Sequence, residues 1–174
     1  MAVKASLHKA ACFPPFVARR AHTLILGTVP GVKSLEEQQF YAHPQNSFWR
    51  IMGKLFNDPV ETYAQRRALI KGNGLALWDV MARCVRQGSL DSEIDPASIE
   101  VNDFATFLKK YSTIKRIFFN GATAEKEFAR RVSPRLPQDV AARLSLKRLP
   151  STSPAHASMR VEKKIKEWSI VKGN

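Results

Sequence analysis

The densest chemistry in this chain lies between Phe40 and Trp49, where a short run holds aromatic rings, an imidazole and an amide: Phe40, Tyr41, His43, Asn46, Phe48 and Trp49. It follows Leu24-Ile25-Leu26-Gly27-Thr28-Val29-Pro30-Gly31, an apolar stretch ended by glycine and proline. Similar polar groups return at Asn120-Gly121 and in Ser151-Thr152-Ser153-Pro154-Ala155-His156. Metal chemistry finds no support, because His8, His22, His43 and His156 are not paired with Cys, Asp or Glu at ligand intervals. Covalent hydrolysis lacks G-x-S-x-G, and Cys84 has no recognisable partner. Gly27 to Ser34 fails as a nucleotide phosphate loop: only three residues separate the glycines, Val32 precedes Lys33, and Pro30 removes a donor. What remains is a set of amides, hydroxyls, aromatics and backbone N–H groups. Such a set suits a planar, neutral, hydrogen-bonding ligand attached to phosphates, a nucleobase in DNA or RNA.

Charge points the same way. The 174 residues carry 28 Lys and Arg against 15 Asp and Glu, a formal +13, and a field of that size favours polyanions. The basic residues recur along the chain at Arg66-Arg67, Lys109 to Arg116, Arg130 to Arg135, Arg143 to Arg148 and Arg160 to Lys166. The competing reading is a charge that only keeps the protein soluble. With 44% hydrophobic residues the chain is expected to form one domain, 1–174, with residues 1–20 attached loosely. No apolar run approaches the roughly 20 residues of a membrane span. The N-terminal stretch, broken by Pro14 and Pro15 and running into Arg19-Arg20, does not read as a secretory signal. Cys12 and Cys84 are expected to be reduced thiols.

These groups must be positioned by the elements around them. His22 to Leu26, Leu75 to Val80, Ile114 to Phe119 and part of Ala141 to Leu149 read as strands, the second as a near-continuous apolar run and the fourth through Leu144, Leu146 and Leu149. Helices are expected from Asn46 or Ser47 to Leu55, from Asp58 to Gly72, from Asn102 or Asp103 to Tyr111, from Ala122 to Arg131 and from Ser158 to Val171. Arg83 to Asp95 reads as a polar loop. Alternation of strands and helices predicts an α/β protein, a three-layer α/β/α domain around a four-stranded parallel sheet. The loops at 27–46, 79–95, 120–121 and 150–157 would then leave the carboxyl ends of strands and meet at one edge. In the first of them Gly31 is able to take a positive φ and bring bare backbone near a ligand.

These motifs together resemble the uracil-DNA glycosylase superfamily. The matching residues are Gly27 to Gly31, Phe40 to Trp49, Leu75 to Val80, Phe119-Asn120-Gly121 and Ser151 to His156, and the resemblance covers about residues 22–170. The branch most resembled is that of the hypoxanthine-DNA glycosylases. The resemblance implies base-excision repair of double-stranded DNA by a cytoplasmic, nucleoid-associated monomer. Its reaction would hydrolyse the N-glycosidic bond of a flipped, deaminated base without metal or organic cofactor; no lysine sits within the matched motifs to serve a lyase step, and Lys33 is the one close enough to leave that open. Hypoxanthine, present as deoxyinosine, is the expected base. Uracil or xanthine is the alternative within the class, and a non-catalytic nucleic-acid-binding module on the same fold is the alternative outside it. Two positions depart from the better-known branches: Val29 stands where they place an Asp or Asn, and Ser151 where their last motif begins with His or Asn.

Carried onto this sequence, the resemblance makes Asn46 the catalytic residue, its carbonyl orienting water and its NH₂ bonding the base; the other reading of Asn46 is a helix cap. Tyr41 is expected to stack on the base, against the alternative of a core aromatic. The backbone of Thr28 and Val29 could bond the base or the water. His43 either lies near the pocket or braces its turn. Asn120 either touches the base or satisfies backbone groups, and Asp79 either faces the pocket or caps the turn after its strand. Ser151, Ser153 and His156 would grip a phosphate, or form a plain turn. Lys33, Arg83 and Arg160 are candidate phosphate contacts, and Gly31 a site of backbone approach.

Overall fold

The computed structural model describes residues 7–173. Along it run β1 (His8–Ala11), β2 (Phe16–Val17), β3 (Thr23–Gly27), α1 (Val32–Glu37), α2 (Phe48–Phe56), α3 (Tyr63–Gly72), β4 (Leu75–Asp79) and β5 (Met81–Arg86). They continue with β6 (Glu100–Val101), α4 (Phe104–Lys110), β7 (Arg116–Asn120), α5 (Ala122–Glu127), α6 (Gln138–Ala142), β8 (Ser145–Leu149) and α7 (Val161–Trp168).

Period-two alternation along the central strands builds the three layers. Leu24, Leu26, Ala76, Trp78, Ile117 and Phe119 face one side, where α4 supplies Phe104, Phe107 and Leu108, with Phe128 and Val140 beside them. Ile25, Leu75, Leu77, Phe118 and Leu149 face the other, against Phe48, Ile51 and Met52 of α2, Leu69 and Ile70 of α3, and Trp168 of α7. Both faces of β3, β4 and β7 are therefore covered, which is why their sequences read as near-continuous apolar runs, whereas β8 is exposed except at Leu149. The α/β/α architecture is as expected.

The sheet differs in one respect. Its order is β2-β4-β3-β7-β8, five strands rather than four. The four expected strands pair in parallel, and β2 adds an antiparallel edge through Phe16 opposite Leu77 and Val17 opposite Ala76. A second, antiparallel sheet, β1-β5-β6, lies outside the expectation altogether. Its centre, β5, falls in the stretch read as a polar loop, and it pairs with residues read as loosely attached: His8 opposite Arg86 through Ala11 opposite Arg83. Residues 1–6 of that segment lie outside the described residues. Short strands with charged residues on one face give no apolar run to read, so this pairing is visible only in three dimensions.

Local signals set the helix boundaries. Thr62 accepts from the Gln65 N–H while the Gln65 side chain accepts from the Thr62 N–H, starting α3 later than the Asp58-Pro59 signal suggested. Because β3, β4, β7 and β8 run parallel, the loops that follow them emerge at one edge.

Candidate active site

A cavity of about 360 Å³ opens at that edge, within the range of small-ligand pockets. Gly27 to Ser34 line one wall, Phe40, Tyr41, His43 and Asn46 another, and Ser151 to Ala155 a third, with Asp79, Asn120 and Ser89 to Asp91 closing it. Of the expected site residues, Asn46, Tyr41, Thr28, Val29, His43, Asn120, Gly31, Lys33, Ser151 and Ser153 all border this one space. His156 stands exposed just beyond it, at the end of the turn that Pro154 begins. Among the described residues, no group of three or more His, Cys, Asp or Glu could hold a metal ion.

Asn46 sits half-buried at the rim. Its Oδ1 accepts from the Phe48 N–H at 3.0 Å, and its own N–H donates to the His43 carbonyl at 2.9 Å. The amide therefore caps the start of α2, and that bond holds it in a set orientation. One carbonyl lone pair and the NH₂ remain for a ligand. His43 braces the same turn, its Nδ1 accepting from the Gln45 N–H at 3.2 Å.

Tyr41 has φ +54°, a conformation uncommon for an aromatic residue. Its neighbours hold it there: the Ala42 N–H donates to Ser34 Oγ at 3.1 Å, and Trp49 Nε1 donates to the Phe40 carbonyl at 2.8 Å. One face of the Tyr41 ring stacks on Phe48 with centroids 3.9 Å apart, so a base would have to use the other. The left-handed residue in this region is thus Tyr41; Gly31 has φ −71° and an extended backbone, contrary to the positive φ considered for it.

Val29 is 9% exposed and packs with Ala10, Met81, Cys84 and Ile94 beneath the second sheet. The loop is pinned from behind, the Gly27 and Thr28 carbonyls accepting from the Val80 and Met81 N–H groups. A buried guanidinium, Arg86, donates to the Pro30 carbonyl. Thr28 Oγ1 donates to Asp91 at 2.9 Å, and Ser89 Oγ accepts from the Val32 N–H at 3.0 Å, drawing the loop after β5 across the cavity's side. Lys33 is paired on the surface with Glu37 at 2.9 Å and Glu36 at 3.5 Å. Arg83 is likewise paired, with Glu100.

The hub of the site is a residue the sequence reading passed over. Thr152, 1% exposed, is clasped by Asn120: Nδ2 donates to Thr152 Oγ1 at 2.9 Å and Oδ1 accepts from the Thr152 N–H at 2.9 Å. The Thr152 carbonyl accepts from the Ser47 N–H at 3.0 Å. One residue thereby ties the end of β7, the Ser-Pro loop and the Asn46–Ser47 corner together. Asn120 thus holds the loop with one bond from each end of its amide, and one N–H and one carbonyl lone pair remain on a residue that lines the cavity. Gly121, at φ +98°, lets the loop come close: a Cβ there would lie 3.1 Å from Ser151 Cβ. From below, the buried Lys164 donates to the His156 carbonyl at 2.8 Å. Within the loop, Ser151 and Ser153 hydroxyls accept from the Ser153 and Ala155 N–H groups, leaving each O–H free to donate.

This clasp makes a prediction. Thr152→Val removes the acceptor of Asn120 Nδ2 and should cost about 1–3 kcal/mol of stability, with slower excision as the loop loosens. Thr152→Ser should restore both. Thermal melts and single-turnover assays of the two variants check it, and a Val variant equal to the parent would contradict it.

Comparison with known proteins places the chain in a family and agrees with the fold. The model of the family described as the uracil DNA glycosylase superfamily matches residues 14–172. The chain belongs to the uracil DNA glycosylase superfamily. It is similar to hypoxanthine DNA glycosylase of Methanosarcina barkeri, 34% identical over 111 residues that span 63% of this chain and 69% of that one. It is similarly related to hypoxanthine DNA glycosylase of Methanosarcina acetivorans, at 35% over 114 residues, spanning 64% and 71%. Among solved structures, a solution structure from Methanosarcina acetivorans, described as a candidate uracil DNA glycosylase, shares the fold. The TM-score is 0.77, with 28% identity over 95% of this chain and 97% of that one. The protein is thus a DNA glycosylase, and its substrate is DNA. No helix among its described residues is long and apolar enough to cross a membrane.

Proposed function

We propose that this glycosylase excises hypoxanthine from double-stranded DNA by turning the deoxyinosine nucleotide out of the helix and hydrolysing its N-glycosidic bond. The observation that carries this reading is Asn46 at the cavity rim, its amide fixed by the Phe48 N–H and facing a space bounded opposite by the Ser-Pro loop. Bond cleavage passes through an oxocarbenium-like sugar, so a weakly nucleophilic water held in place suffices and no strong base is needed. The free lone pair of the Asn46 carbonyl orients that water, and its NH₂ stabilises the departing base. Position 29, which could have carried an acid for this purpose, is packed in an apolar cluster instead. Two relatives that bear the name hypoxanthine DNA glycosylase support the choice of base.

Tyr41 stacks on the base by its free face. Ser151, Ser153 and His156 engage the backbone phosphates, and the Thr28 and Val29 backbone and Gly31 lie against the nucleotide. The enzyme acts as a cytoplasmic, nucleoid-associated monomer and needs no cofactor. It stops at the abasic site: Lys33, which borders the cavity, is engaged on the surface by Glu37 at 2.9 Å and Glu36 at 3.5 Å.

The test is a panel of duplexes carrying a single deoxyinosine, deoxyuridine or deoxyxanthosine, treated with the protein and then with alkali. Strand cleavage at deoxyinosine in preference to the others is the expected result. Preference for deoxyuridine or deoxyxanthosine overturns the substrate, and binding without cleavage of any duplex overturns catalysis.

A further inference from the structure

Two polar groups at the cavity floor are unaccounted for by this scheme. Asp79, at the end of β4, is 4% exposed, and its Oδ2 has no hydrogen-bond partner. The Tyr41 hydroxyl is buried and equally unpartnered. Both residues line the cavity. They flank one point, because a Cβ on Gly27 would lie 2.6 Å from Asp79 Oδ1 and 3.1 Å from the Tyr41 hydroxyl. Glycine at position 27 is thus what lets the carboxyl and the hydroxyl lie this close to the loop backbone beside the pocket. Buried polar groups without partners are rare in folded proteins, and two together beside a cavity mark where a polar ligand is met.

We propose that Asp79 is a catalytic acid that donates its carboxyl proton to the imidazole N7 of the flipped purine as the N-glycosidic bond breaks. The proposal rests on the purine reading given above. The N9–C1′ bonding pair passes into the purine ring, and the proton from Asp79 neutralises the charge that develops there. Hypoxanthine leaves as its neutral N7–H tautomer. Water held by Asn46 adds to C1′, its surplus proton goes to solvent, and Asp79 takes a proton back from solvent. Asn46 and Asp79 thereby divide the reaction, one serving the sugar and the other the leaving base.

The surroundings keep this carboxyl in the required form. Burial is the main cause, raising it to about 7, and the negative charge of Asp91 adds to the rise while Arg86 opposes it. The groups facing it are Arg86 from β5, Asp91 from the loop after β5, Tyr41 from the loop before α2, and Cys12 from the N-terminal segment. Burial and the nearby Asp79 charge hold both Tyr41 and Cys12 above their ordinary ranges, neutral while Asp79 titrates. A general acid near the working pH is the favourable case for proton transfer.

The test measures single-turnover excision from deoxyinosine duplexes between pH 5.5 and 9 for the parent and Asp79→Asn. The parent rate should fall as the pH rises past neutrality. Asp79→Asn should be slower by about 10²-fold at pH 6.5 and lose that alkaline fall, with duplex affinity unchanged. At pH 8 the variant should melt no lower than the parent, since it carries no buried charge. An Asp79→Asn rate within threefold of the parent overturns the proposal, as does a slowed variant that keeps the alkaline fall. Should the variant not fold, a parent profile flat through neutrality overturns it by itself. A parent silent on deoxyinosine overturns the substrate reading and this one with it, and is told apart because it is seen before any variant is made.

Discussion

Asn46→Ala should lower single-turnover excision by about 10²–10³-fold, the range for removing one pre-positioned polar group at a developing charge, while affinity for the same duplex stays within a few fold. The substitution has a second consequence that must be separated from the first. Asn46 Oδ1 also takes the Phe48 N–H at the start of α2, and losing such a cap costs about 0.5–2 kcal/mol. Asn46→Ser provides the control, because a serine hydroxyl caps a helix nearly as well but carries no amide. The serine variant should melt near the parent and remain as inactive as the alanine variant. If Asn46→Ser recovered excision along with stability, the residue would be a cap and the chemistry would lie elsewhere. Undiminished activity of Asn46→Ala would remove it from the mechanism altogether.

Val29→Asp is the second large effect. It looks like a conversion, placing an acid where better-known branches of the superfamily carry an Asp or Asn. The structure predicts a damaged protein instead. Val29 packs among Ala10, Met81, Cys84 and Ile94, which offer no partner to a carboxylate. An unpaired charge in such a place costs about 3–5 kcal/mol, which for a chain of this size lowers the melting temperature by roughly 10 °C. Uracil excision should not appear. A circular-dichroism melt and the deoxyuridine duplex check both parts. A variant that melts beside the parent, or that gains activity on deoxyuridine, would show that residue 29 is free to turn into the cavity.

The contrast between these two positions shows why a polar side chain stands at the cavity rim in the Phe40–Trp49 run and not at position 29. The Gly27–Gly31 loop is backed by the β1-β5-β6 sheet, so its side chain at 29 is claimed by packing. The turn before α2 has no such backing, and Asn46 remains at the rim. Thr152, buried between Asn120 and Ser47, fixes the distance from that turn to the Ser-Pro loop. The cavity is therefore a property of three chain segments held by one threonine.

Much of this was readable from the order of residues alone. Apolar runs such as Leu24-Ile25-Leu26 and Leu75-Ala76-Leu77-Trp78, ended by glycine or a polar residue, specify buried parallel strands because nearest-neighbour chemistry is enough to mark them. Once strands and helices alternate, the hand and direction of the crossovers bring the loops after the strands to one edge. That placed Tyr41, Asn46, Asn120 and Ser151 at one cavity without any knowledge of distances. What pairing over long sequence separations decides was not readable. His8–Ala11 gives no strand signal until Arg83–Arg86 lies beside it, and only then does Val29 acquire an apolar bed. Asp79 could have capped its turn on local evidence. Its depth beneath Gly27, between Tyr41, Arg86 and Asp91, exists only when four distant segments meet, because burial and the field of neighbouring charges are sums over the folded molecule and belong to no single stretch of it.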